Sequence, residues 1–198
     1  MTQTLSLANQ ANQSIQSLKK LQRLRPSDLS ADYTLDPTRL TLDTAPLGIT
    51  GFAADEFLHT QWGVTAELPT LCQLTFIFSL GNTADDIAQL TAALTALCSQ
   101  PIQGSLPALQ AQMPATQSAM TPRQAFFAQR IACPISVCAG RISAETVCAY
   151  PPGIPTLLPG DTITADAIAQ LQQLQAAGAI LSGNSDPTLQ TIAVVQSS

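Results

Sequence analysis

The stretch Gln73-Leu-Thr-Phe-Ile-Phe-Ser-Leu80 runs into Gly81-Asn82-Thr83 and then Ala84-Asp-Asp86-Ile87. Its first eight residues are rich in β-formers, which predicts a mostly buried strand. Gly81-Asn82 supplies the turn. Thr83 stands three residues before Asp86, an acidic variant of the capping box, and Ile87, Leu90, Leu94 and Leu97 then fall on one helical face. Strand, turn and capped helix over about 84–98 set the pattern of a layered α/β unit.

Toward the amino terminus, residues 52–61 predict a second helix, started by Thr50 or Gly51 and ended by Gly63. Arg39-Leu-Thr-Leu-Asp-Thr44 alternates as a half-buried strand does. Leu7, Ala8, Ala11, Ile15, Leu18 and Leu21 recur at helical spacing, predicting a helix over about 3–24 that the Arg25-Pro26 step ends. That helix opens almost at Met1 without a lead-in, which we take as the mark of a piece of a longer protein.

Toward the carboxyl terminus, residues 100–120 turn to Pro, Gln, Ser and Ala without a sustained period and read as a linker. Thr121-Pro122 offers a cap and an N1 proline for a short helix through Phe126 and Phe127. Residues 135–138 and 142–148 read as β-like, and residues 150–161, with four prolines and two glycines, as an irregular but stiff loop. Thr164 caps a helix through Leu174 that Gly178 ends, and short strands follow at 179–181 and 191–195. The fold class expected is α/β to α+β, in two lobes at 1–99 and 121–198.

The 198 residues are 45% hydrophobic, enough to fill a core, yet only 11% charged. So low a charge suits a surface buried against another domain or subunit. A net charge of −5 with eight scattered cations offers no continuous positive face, which argues against nucleic acid. Lys19, Lys20, Arg23 and Arg25 cluster, but at the end of a predicted helix, where cations suit the dipole. No apolar run reaches the ~20 residues of a membrane span and no basic segment precedes an apolar one, so a cytoplasmic chain is expected. Five cysteines without ligand-like spacing predict reduced thiols and no metal site.

Common chemistries lack their residues. The single histidine, His59, stands in Phe-Leu-His-Thr on the second helix, with no Ser or Cys motif to serve. Asp55-Glu56 and Asp85-Asp86 occupy first helical turns, where they complement the dipole. Glu67 and Glu145 are isolated carboxylates, each placed either to select a cationic substrate or to accept structural hydrogen bonds.

Several stretches taken together resemble the Orn/Lys/Arg decarboxylases, particularly the cyanobacterial and Bacillus-type enzymes. They are Asp36-Pro-Thr-Arg-Leu40, Gly48-Ile-Thr-Gly-Phe-Ala-Ala-Asp-Glu56, Thr65-Ala-Glu-Leu-Pro69, Leu74-Thr-Phe-Ile-Phe-Ser-Leu-Gly-Asn-Thr83 and Arg141-Ile-Ser-Ala-Glu-Thr-Val-Cys-Ala-Tyr-Pro-Pro-Gly-Ile-Pro155. The resemblance implies the small carboxy-terminal domain of a fold-type I pyridoxal-phosphate enzyme followed by the family's own carboxy-terminal domain. It also implies a homo-oligomer in which a partner subunit helps close the site. The family's cofactor lysine lies in a Ser-x-His-Lys motif. Here the only lysines are Lys19 and Lys20, and His59 is followed by Thr60, so the motif is absent.

Pyridoxal phosphate is therefore expected in the complete enzyme and not on this chain alone, whose natural partner is a cofactor-domain polypeptide or a full-length decarboxylase. No catalytic residue is expected here. Glu145, Tyr150, Pro151 and Gly153 match the family stretch near the substrate, which implies a pocket wall, with Arg39 and Arg141 as further contacts for anions. Ala149 and Asp161 depart from the family's proline and glutamate at those places. The reading that follows is the inactive carboxy-terminal part of a basic amino-acid decarboxylase, with a free-standing regulator of such an enzyme as the alternative.

Overall fold

A computed structural model describes residues 2–101, 106 and 117–196. The chain divides into two compact units, Met1–Pro107 and Ala108–Ser198. In the first, the elements are α1 (Thr2–Ile15), β1 (Gln22–Arg23), β2 (Arg39–Asp43), α2 (Gly51–Trp62), β3 (Leu68–Pro69), β4 (Gln73–Ile77) and α3 (Ala84–Cys98). The strands form one antiparallel sheet in the order β1-β2-β4-β3, with Leu40 opposite Phe76 and Leu42 opposite Leu74.

Period-two alternation in β2 turns Leu40 and Leu42 to one face, where they join Leu74 and Phe76 against α1, α2 and α3. The helices contribute Ala8, Ala11, Ala54, Leu58, Leu94 and Leu97, all essentially inaccessible to water. Each leucine so buried contributes roughly 1.5–3 kcal/mol. On the other face of the sheet the Thr41 and Thr75 hydroxyls meet at 2.9 Å.

α3 begins as expected. The Thr83 N–H donates to Asp86 at 2.7 Å and the Asp86 N–H to the Thr83 hydroxyl at 3.4 Å, closing a reciprocal cap. α2 is capped by Thr50, whose hydroxyl accepts from the Ala53 N–H, and ends on a left-handed Gly63. Its first residue must be glycine, because a Cβ on Gly51 would fall 2.3 Å from the carbonyl oxygens of Thr70 and Gln73.

The expected first helix is corrected: α1 stops at Ile15 instead of running to 24. Side chains of Asn12, Ser14 and Ser17 bond carbonyls three or four residues back, competing with the helix for its own acceptors. Leu18 and Leu21 reach the core through turns, and β1 joins the sheet.

The second unit holds β5 (Gln117–Ser118), α4 (Pro122–Phe127), β6 (Arg130–Pro134), β7 (Val147–Tyr150), β8 (Ile154–Leu157), β9 (Asp161–Thr162), α5 (Ala165–Ala176), β10 (Ile180–Ser182) and β11 (Thr191–Val195). They pair as β10-β7-β8, β11-β6 and β5-β9, with α5 against β7, β8 and β10. Val147, Leu157, Ile163, Leu171, Ile192 and Val194 fill its interior. Thr121 and Thr164 cap α4 and α5 as expected.

Three expectations change here. Residues 135–138 are not extended: Ile135–Val137 form a 3-10 turn, and the strand is the preceding β6. The stretch 142–148 yields a strand only from Val147, because the Ser143 hydroxyl donates to the Glu145 carbonyl and turns the chain. The proline-rich loop contains β8 and β9. β8 is an edge strand, the place where Pro155, with no N–H, is tolerated.

Of the expected linker 100–120, residues 102–105 and 107–116 lie outside the described residues, and 117–118 pair with β9. Gly160 anchors that contact. It sits at φ +97°, accepts from the Ala119 and Met120 N–H groups, and leaves a hypothetical Cβ only 2.2 Å from the Met120 oxygen.

Candidate functional site

The second unit gathers most of the expected site residues around β7. Tyr150 ends that strand at 62% exposure and pairs with Ile180 of β10, itself 73% exposed. Pro151 and Pro152 follow through cis peptide bonds, and Gly153, at φ +82°, returns the chain with its N–H donated to the Ala149 carbonyl. A Cβ on Gly153 would lie 3.2 Å from the Tyr150 ring, so the ring lies over the glycine. Tyr150, Ile154 and Ile180 are each exposed on the strands around the β7–β8 turn, Tyr150 and Ile180 as direct cross-strand neighbours.

Glu145 faces the other way. It is 7% exposed, and its carboxylate is occupied by three donors of the chain. One oxygen accepts from the Ser185 N–H at 2.9 Å and the Ser185 hydroxyl at 2.5 Å, the other from the Ala193 N–H at 3.0 Å. The carboxylate ties the β10–β11 connection and β11 to the approach of β7. Of the two roles the sequence left open for Glu145, the geometry here is that of the structural acceptor.

Next to it, Asp186 accepts from the N–H and hydroxyl of both Thr188 and Thr191. These bonds, the Thr188 hydroxyl first, hold its carboxyl down at about 2. Asp36-Pro-Thr38 in the first unit repeats the motif: Asp36 accepts the Thr38 N–H and hydroxyl, and its carboxyl is also lowered, mainly by that hydroxyl. Neither aspartate was read from the sequence as a carboxylate with a role of its own, although the repeated Asp-Pro-Thr was a signal for such turns.

Asp161 is buried and its carboxylate accepts the Leu158 N–H at 3.0 Å, closing the Pro-Gly turn.

Arg141 lies at the turn after Cys138 and bonds through its backbone to Ile163. Arg39 belongs to the first unit, half-exposed and 3.7 Å from Asp36. Glu67 is exposed beside β3, and exposed His59 bonds the Thr65 hydroxyl at 2.8 Å.

Nor does either lysine suit a covalently held cofactor. Lys20 donates to the Cys98 carbonyl at 2.9 Å from an exposed position, and Lys19 lines an open polar cleft. The residues present do not fit pyridoxal phosphate as a resident group. Among the described residues no set of three His, Cys, Asp or Glu side chains could hold a metal, and no helix is long and apolar enough to cross a membrane. All five cysteines are free, and burial raises the Cys138, Cys98 and Cys72 thiols above their ordinary range.

Known proteins match this arrangement. Residues 107–185 match the family model described as Orn/Lys/Arg decarboxylase, C-terminal domain. An arginine decarboxylase of Bacillus subtilis is 33% identical over 199 residues, covering 98% of this chain and 41% of the relative. One from Halalkalibacterium halodurans is 33% identical over 175 residues, 84% of this chain and 34% of its own.

Among solved structures, the lysine decarboxylase of Francisella novicida and the constitutive one of E. coli each superpose with a TM-score of 0.73 at 19% identity. Each superposition covers 98% of this chain and 40% of the other. The chain thus spans about two fifths of the length of these relatives. It belongs to the Orn/Lys/Arg decarboxylase family and corresponds to the carboxy-terminal portion of its members.

Proposed function

We propose that this chain is the carboxy-terminal part of a pyridoxal-phosphate-dependent decarboxylase of arginine, lysine or ornithine, and that it is inactive by itself. The observation that carries the reading is a mismatch. The B. subtilis arginine decarboxylase aligns along 98% of the chain, yet neither Lys19 nor Lys20 stands in the family's cofactor motif. The cofactor, which supplies the electron sink for loss of carbon dioxide, is then held by another polypeptide or by the remainder of a longer one. This chain's part is to shape the pocket. The Tyr150–Gly153 turn forms a wall, Glu145 fixes that wall from behind, and the exposed residues around it dock on the cofactor domain or a partner subunit in the cytoplasm.

Carbon dioxide release from each of the three amino acids tests this. The purified chain with added pyridoxal phosphate gives none, and borohydride fixes no pyridoxyl label on Lys19 or Lys20. Co-expression with the cofactor domain from the same host restores release. Turnover by the chain alone, or no activity on reconstitution, overturns the proposal. A full-length decarboxylase whose rate shifts when the chain is added favours the regulatory role instead.

A further inference from the structure

We draw no further inference here: the strongest candidate, the outer edge of β6, a strand that among the described residues pairs with β11 alone and carries exposed Ile131 after exposed Phe126 and Phe127 of α4, supports no assignment, because nothing in the structure shows what covers it.

Discussion

Glu145 and Ser185, forty residues apart, meet through two hydrogen bonds to a single carboxylate oxygen, one from the serine N–H and one from its hydroxyl. With the Ala193 N–H on the other oxygen, the side chain joins the start of β7 to the loop before β11. Glu145→Gln removes one acceptor and turns an N–H₂ group toward donors. It should destabilise the chain by about 1–3 kcal/mol in urea unfolding, and Glu145→Ala by at least as much. An unchanged unfolding midpoint in both variants would mean that the carboxylate is not structural.

Asp186 gives the chain a dependence on acid. Its folded carboxyl titrates at about 2, below the ordinary 3.8, so the folded state takes up that proton less readily than the unfolded one. The stabilisation is fully present above about pH 4 and is lost as pH falls through about 2. Carboxyl chemical shifts from an NMR titration should place Asp186 at the bottom of the carboxylates. Asp186→Asn should flatten this part of the stability profile. A midpoint near 4 for Asp186 would refute the geometry of its four donors.

Much of the first unit was legible because its signals are local. Thr83 and Asp86 announce α3, Thr50 and Gly63 bracket α2, and alternation marks Leu40 and Leu42. What escaped depends on distant partners. β1 and β3 are two-residue strands that exist only as the edges of a sheet, and nothing in Gln22-Arg23 says that Asp43 and Leu42 lie opposite. β8 was hidden by Pro155, which only an edge position allows. In the candidate site, Tyr150 and Gly153 were readable from the resemblance. The inward turn of Glu145 was not, because it is decided by Ser185 and Ala193 far along the chain.

Gly160 should resist any side chain. A Cβ there meets the Met120 oxygen at 2.2 Å and the backbone is left-handed, so relief requires moving β5 away from β9. Gly160→Ala should cost about 1–3 kcal/mol from backbone strain alone. Hydrogen exchange should speed up at the Ala119 and Met120 amides, whose acceptor is the Gly160 carbonyl. Unaltered protection at both amides would show that the contact is not tight.

Tyr150 separates a structural from a functional part for the β7–β8 turn. Tyr150 is mostly in solvent and its ring lies against Gly153, so Tyr150→Ala should leave stability within about 0.5 kcal/mol. If the turn forms a wall of the substrate pocket, the same variant, reconstituted with the cofactor domain, should lose activity by about tenfold or more, mainly through a raised KM, because truncation removes contact area from the bound amino acid. Gly153→Ala provides the complementary case, since its left-handed backbone and the 3.2 Å approach to the ring make a methyl group displace Tyr150 without removing it. Loss of stability in Tyr150→Ala with unchanged kinetics would move the residue from the pocket wall to the fold.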